Sequence, residues 1–375
     1  MPPKSDPPAR RNPAARRPTK RHATIRDVAR AVGASVSTIS ATLNGTDYVS
    51  AGMRARINKA IERLQFRPND LARSLRLQRT HTLAIVVPDI SNSFYAEIIH
   101  GIKDYGAALN YTLLIGDSRE RWAEESNYLD LFQRRRVDGV IRVPATDDAG
   151  GHAHRLLGDI PVVYADRFPQ ANDEQIGCVG VDNVKAANDA VRYLISLGHE
   201  RIAIIAGPLT ARSSADRIEG YRRALAAQHL PLRRDRIRSG VFDMVAATRE
   251  AIELLARPDR PTALFCGSNI TTLGALDAVQ QLGLRCPEEI SLLGFDDFSW
   301  STLLRPRLTM VRQPAREIGM TAARVLIDHI EERTRQVAGE HLLPTQLMIR
   351  NSCAPPLQNA PAAGRRGRRA PGRPS

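Results

Sequence analysis

With 375 residues, 42% of them hydrophobic, and no apolar run near the ~18 residues a membrane-spanning helix needs, the chain has room for two or three domains with sizeable cores and is not expected in a membrane. Its net charge of +14 is unevenly placed: residues 1–21 carry seven Lys and Arg against one Asp, residues 22–80 ten against four and residues 354–375 five against none, leaving the 273 residues between at −3. A basic head on a slightly acidic body suits a nucleic-acid binder, because Lys and Arg neutralise phosphates and release counterions, and is not the pattern of an evenly basic enzyme.

Residues 1–21 are studded with Pro and lack an apolar segment of the kind a secretory signal needs, so they are expected to be a disordered basic tail that adds sequence-independent attraction to DNA. Thr24 followed by Asp27 is a capping-box pattern, and Ile25, Val28, Ala29 and Val32 then form one face of a short helix. Gly33 provides a tight bend, and Ser35 is the N-cap of a second helix from Val36 to Asn44, closed by Gly45. Ile39 and Leu43 pack inward, which turns Ser37 and Ala41 to the opposite face and leaves Val36 at the leading tip. After Ser50, Ile57, Ala60, Ile61 and Leu64 predict a third amphipathic helix that covers the first two. The segment RPNDLARSLR has Asn69 as N-cap and Ala72 and Leu75 on one face, a helix too short to persist alone.

From Thr82 apolar strands alternate with amphipathic helices: LAIVV, YTLLIG, VDGVIRV, PVVYA, RIAIIAG, ALFCG and ISLLGF are separated by helical stretches, which predicts parallel sheets with helices on both faces. The length suggests two such sheets. Residues 354–375 return to Pro, Ala, Gly and Arg, a second disordered basic tail without the heptads of a tetramerising helix. Cys178, Cys266, Cys286 and Cys353 lie far apart with no CxxC pair, which favours free thiols in a reducing cytoplasm over disulfides or metal. His152-x-His154 sits in a Gly-rich loop without a third ligand and is not read as a metal site. No catalytic constellation and no cofactor motif stands out, so no enzyme activity and no cofactor are expected.

TIRDVARAVGAS, STISATLNG, VS and RPNDLARSL, in this order and spacing, resemble the DNA-binding head and hinge of the lactose/galactose repressor (LacI/GalR) family. SNSFYAEIIHGI, DGVI, PVV, GHERIAIIAGP, RIEGYRRAL, TLGAL and ISLLGFDD resemble its periplasmic-binding-protein-like effector domain, so that about residues 22–353 are covered. The fold implied is an all-α helix-turn-helix head with a hinge helix, followed by an α/β two-lobed effector domain. The divisions implied are a helix-turn-helix domain at 22–66, a hinge helix and linker at 67–80, and an effector-binding and dimerisation domain at 81–353. Within the last, the N-lobe takes 81–179 and 313–341 and the C-lobe 180–312 and 342–353.

By the same resemblance, Thr24, Ser35, Val36, Ser37, Thr38, Ala41 and Asn44 of the head and Asn69, Ala72 and Leu75 of the hinge meet DNA, Leu75 as a wedge in the minor groove. Ala41 departs from the Arg common there, so direct base readout should be lean. Arg217 and Asp296 match positions that hydrogen-bond an effector, Asp166 matches a polar contact at the lobe junction, and Phe94, Tyr95, Phe168, Phe242 and Trp300 fall on loops that line the cleft. Ser268, often Asn in relatives, followed by Asn269 where Asp is frequent, bars transfer of any relative's ligand. The expected partners are double-stranded operator DNA, a small polar effector such as a sugar, and a second copy of the chain. A periplasmic sugar-binding protein would share the body, but would need a signal peptide and lack Thr24 to Arg76. A sugar or nucleoside enzyme would need catalytic groups in the cleft.

Overall fold

The computed structural model describes residues 23–43, 49–66, 79–145, 152–169, 177–239, 242–331 and 339–357. The chain divides into two compact units, Met1–Gln78 and Arg79–Ser375.

In the first unit α1 (Ile25–Val32) starts at a cap in which the backbone N–H and hydroxyl of Thr24 both donate to Asp27 Oδ2, at 2.9 and 2.7 Å, while Asp27 N–H donates to the Thr24 carbonyl at 2.9 Å. Gly33 ends it at φ 69, a left-handed conformation that a Cβ would strain. The second helix, α2 (Val36–Leu43), is capped by Ser35 Oγ, which accepts from Thr38 N at 3.1 Å. The third, α3 (Ala51–Leu64), is capped by Ser50. Val28, Val32, Ile39, Val49, Ile57, Ala60 and Phe66 are buried together in a small core. Arg56 of α3 donates to Val32 O at 2.8 Å, satisfying a carbonyl that the end of α1 leaves open.

The second unit contains two six-stranded sheets. The first has the order β11-β5-β4-β3-β1-β2, from β1 (Thr82–Val87), β2 (Thr112–Asp117), β3 (Gly139–Arg142), β4 (Val162–Ala165), β5 (Gly177–Val181) and β11 (Gly339–Leu343), all parallel. The second has the order β12-β10-β9-β8-β6-β7, from β6 (Ile202–Ile205), β7 (Ile237–Arg238), β8 (Ala263–Cys266), β9 (Ser291–Phe295), β10 (Thr309–Arg312) and an antiparallel edge, β12 (Gln346–Met348). Sequential strands of parallel sheets need crossovers, and helices supply them on both faces. The first sheet extends through Val181 and Leu343, two residues past the divisions expected at 179 and 341, because the parallel ladder continues to pair Leu342 with Gly180 and Leu343 with Val181.

The chain passes between the lobes three times, after β5, after β10 and after β11. On its second passage it forms α11 (Ala315–Ile330), which packs on α4 (Ser93–Ala108) across more than two hundred residues of sequence. Two glycines allow this approach. A Cβ on Gly101 would collide with the Arg316 carbonyl, and one on Gly319 with the Ile98 carbonyl. Ile98, Ile102, Ile318, Ala322 and Leu326 fill the space between these helices and the sheet.

Candidate effector cleft and DNA-reading face

The C-terminal ends of the parallel strands and the starts of the helices that follow them meet between the lobes, the place where open α/β sheets hold ligands. A cavity of about 530 Å³ lies there. Phe94, Tyr95, Asp166, Arg217, Phe242, Ser268 and Asp296, the cleft residues expected from sequence, all line it.

Asp166 directly follows β4 and Asp296 directly follows β9, so the two lobes present equivalent carboxylates. Both adopt left-handed backbone, φ 62 and 66, which short polar side chains tolerate best after glycine. Gln313, which follows β10 on the second passage between lobes, joins them: its amide Nε2 lies 2.6 Å from Asp296 Oδ1 and 3.5 Å from Asp166 Oδ1. Burial drives both carboxyls above their ordinary range, Asp166 to about 6, with the Arg217 guanidinium opposing the shift in each case.

Arg217 sits in the second turn of α8 (Arg212–Ala227) and is buried. Its Nε donates to Asn183 Oδ1 at 2.8 Å, Nη1 donates to the Gly267 carbonyl and lies 3.8 Å from Asp296 Oδ2, and the guanidinium stacks 3.8 Å above the Phe295 ring. The arginine is thereby fixed before any ligand arrives, so little side-chain entropy remains to be lost on binding.

Arg167, with Glu120 and Gln313, is a cleft residue that the sequence reading missed. Its two terminal nitrogens donate to the two oxygens of Glu120, at 2.8 and 2.7 Å, and Nη1 also reaches the Pro144 carbonyl at 3.1 Å. Its flat face stacks across the cleft on Phe242 at 4.4 Å. Glu120 neutralises it, so it offers the cavity a planar surface more than a charge. The only signal in the sequence was its adjacency to Asp166. Asn92, N-cap of α4, and Asn269, first residue of α10 (Asn269–Gln281), also line the cavity from opposite lobes. Three arginines face five carboxylates in the lining, Asp89, Glu120, Asp166, Asp243 and Asp296, an environment that accepts hydroxyl donors and repels phosphates.

The aromatic residues divide. Phe94 and Tyr95 are buried in the first turn of α4, with ring centroids 5.3 Å apart, and burial raises the Tyr95 phenol well above its ordinary value. Phe168 lines a smaller neighbouring cavity. Trp300 does not line the cleft: after Asp296 the chain turns away, held by Asp297 against Arg312 and Arg350, and the indole lies tilted against Phe298 with ring centroids 4.2 Å apart. The expectation for Trp300 is therefore corrected.

In the first unit Val36 is 42% exposed and Ser37 is exposed, at the leading end of α2. Ser35 Oγ lies 2.6 Å from Ser37 Oγ and 2.8 Å from Thr38 Oγ1, a hydroxyl cluster at the start of α2. Ala41 departs from the expected outward placement: it is half-buried against the small core, because α2 is flanked by both other helices. Asn44, Asn69, Ala72 and Leu75 lie outside the described residues.

Comparison with known proteins bears on both units. The family model for bacterial regulatory proteins of the lacI family matches residues 24–69, and the periplasmic binding protein-like domain matches residues 191–353. Catabolite control protein A of Priestia megaterium is 35% identical over 314 residues, 84% of this chain and 94% of that protein. The HTH-type transcriptional repressor CytR of Escherichia coli (strain K12) is 35% identical over 334 residues, 88% of this chain and 96% of that protein. Among solved structures, the transcriptional regulator CelR–cellobiose complex matches with a TM-score of 0.67 at 30% identity, covering 88% of this chain and 99% of that one.

Proposed function

The chain belongs to the lacI family of bacterial regulatory proteins, and from that premise we propose that it represses transcription as a homodimer on a pseudo-palindromic operator. It is a ligand-responsive DNA-binding transcriptional regulator, not an enzyme. The effector binds between the two lobes of the second unit, held by Arg217 and Asp296 against the aromatic wall of Phe94, Tyr95 and Phe242. One observation carries this: seven residues scattered over two hundred positions of sequence converge on one cavity whose polar groups come from both lobes. A planar arginine fork facing a carboxylate orients a polar, hydroxyl-bearing ring, and a solved relative 30% identical to this chain is a complex with cellobiose.

Val36, Ser37 and the Ser35–Thr38 hydroxyls read the major groove, and the hinge residues Asn69, Ala72 and Leu75 contact the minor groove at the operator centre. Among the described residues no helix is long and apolar enough to cross a membrane, in keeping with a regulator that works in the cytoplasm. Lobe closure and DNA affinity are linked through the two hinges of the dimer, and the coupling is reciprocal.

The test is fluorescence anisotropy on an operator selected from random DNA by the protein itself, with and without a sugar that shifts its melting temperature. Asp296→Ala should abolish the ligand response while leaving ligand-free operator binding measurable. An Asp296→Ala protein with unchanged ligand affinity and ligand response would remove the cleft from the mechanism.

A further inference from the structure

The cavity between the lobes does not end at its carboxylate pair. A second cavity of about 250 Å³ adjoins it, and Asp166 and Ser213 line both. It occupies the β5–β11 edge of the first sheet, where Phe168, Asp182 and Glu340 face Arg212 and Asp216 of α8. Arg212 joins the walls: it lies 3.7 Å from Asp216 Oδ2 and 3.3 Å from Glu340 Oε1, and its guanidinium is 5.7 Å from the centre of the Phe168 ring. Phe168 is held in turn over Gly180, where a Cβ would come within 2.9 Å of the ring.

We propose that the effector is a neutral, hydroxyl-rich molecule of two rings, one between Arg217 and Asp296 and the other extending past Asp166 and Ser213 into this second cavity. The proposal rests on the reading of the main cleft as the effector site. Size is the first argument. At roughly the 30 Å³ that an oxygen atom occupies in liquid water, the twelve non-hydrogen atoms of a hexose take at most about 360 Å³. The main cavity alone, at about 530 Å³, exceeds that, and the second cavity lengthens the cleft along the strand ends from β4 towards β11.

Charge is the second argument. Four carboxylates, Asp166, Asp182, Asp216 and Glu340, face one arginine in the second cavity, and that arginine already has two acidic neighbours. Burial lifts the Asp216 carboxyl above its ordinary value, so this wall gains from hydroxyl donors and pays heavily for another anion. Phosphorylated sugars are thereby excluded. The third argument is shape: Phe168 stands to the second ring as Phe242 and Tyr95 stand to the first, an apolar face against which the C–H side of a pyranose can lie.

Titration calorimetry on the full-length chain tests this with cellobiose, maltose and lactose against glucose, galactose and glucose 6-phosphate. At least one disaccharide should bind about tenfold or more tightly than either monosaccharide, and glucose 6-phosphate should bind more weakly than glucose. Phe168→Ala and Glu340→Gln should each weaken that disaccharide by about fivefold or more. The half-exposed edge position of Glu340 makes the Gln variant safe for folding, which its melting temperature verifies.

Monosaccharides binding as tightly as disaccharides, preference for the phosphate ester, or binding of none of the neutral disaccharides would each overturn the proposal. If Arg217→Ala abolished disaccharide binding while Phe168→Ala and Glu340→Gln left it intact, the main cleft would stand and the second cavity would fall. Binding lost in Phe168→Ala and Glu340→Gln but kept in Arg217→Ala would overturn both the two-ring placement and the main-cleft reading.

Discussion

Asn92 and Asn269 close the front of the cleft with an amide pair, in which Asn269 Nδ2 donates to Asn92 Oδ1 at 2.7 Å and Asn92 Nδ2 lies 3.4 Å from Asn269 Oδ1. Each amide is tied to its own helix as well: Asn92 Oδ1 accepts from Phe94 N and Asn269 Oδ1 from Ile270 N. The pair therefore joins two helix starts, one from each lobe, and favours their approach by about 0.5–1.5 kcal/mol, the usual net worth of one intramolecular hydrogen bond. Asn92→Ala and Asn269→Ala should each weaken effector binding by about two- to tenfold. A double-mutant cycle read by calorimetry should give a coupling near 1 kcal/mol, and strict additivity would show that the amides do not act together.

Asp166 makes stability depend on pH. Its carboxyl titrates near 6 in the fold, above its ordinary 3.8, so between these values the folded protein binds more protons than the unfolded chain. The stability it contributes is fully present below about pH 3.8 and is lost as pH rises through about 6. Asp166→Asn, which cannot ionise, should be more stable than wild type at pH 7.5 by about 1–3 kcal/mol and should bind effector less well. Thermal melts at pH 4, 5, 6 and 7.5 check this. A variant curve parallel to wild type would assign the slope to other groups.

The pair Arg142–Glu125 is buried in the first lobe, with Arg142 Nη1 also donating to Tyr164 Oη at 3.1 Å. The other oxygen of Glu125 accepts from Ala145 N at 3.0 Å, beside the main cavity. Glu125→Ala removes the buried carboxylate that Arg142 Nε meets and leaves Ala145 N without its acceptor, and should cost about 1–3 kcal/mol in urea unfolding. Replacing both residues, Glu125→Leu with Arg142→Met, should recover much of that loss.

The close approach of α4 and α11 depends on Gly101 and Gly319, since each Cβ would meet backbone and not a movable side chain. Gly319→Ala should force the helices apart and cost about 1–3 kcal/mol. Gly283, with φ 64 and open space around its missing Cβ, provides a contrast, because Ala there suffers backbone strain but no collision. Equal melting temperatures for Gly319→Ala and wild type would disprove the packing argument.

Val36 leads the exposed face of α2. Val36→Ala should weaken binding to the selected operator by about tenfold while changing affinity for random DNA little, because random DNA is held through phosphates. Equal losses on both, measured at one salt concentration, would remove Val36 from base reading.

Much of the fold was legible because its signals are local. The Thr24–Asp27 cap, the Gly33 bend and the alternation of apolar strands with helices each report on a few neighbouring residues. The cleft was legible only where the family resemblance supplied positions, as with Arg217 and Asp296. Arg167, Glu120 and Gln313 escaped because their importance arises from pairings over 47, 17 and 147 residues of sequence, which no periodicity records. Ala41 and Trp300 were misplaced for the same reason. Whether a side chain on a helix flank or loop points to ligand or to core is decided by neighbours that are distant in the chain.

The three passages between the lobes impose an order on synthesis. Among the described residues of the first unit, the eight buried apolar side chains all lie between residues 28 and 66, so this core can form once that stretch has emerged from the ribosome. The first sheet, by contrast, lacks an edge strand until Leu343 is made, and α4, already set against β1 and β2, lacks the helix it packs on until α11 arrives. A chain cut short before residue 315 would carry a folded head on two unfinished lobes, each exposing apolar surface to proteases. The core of the head thus depends on one short stretch of chain, whereas the core of the first lobe depends on helices made more than two hundred residues apart.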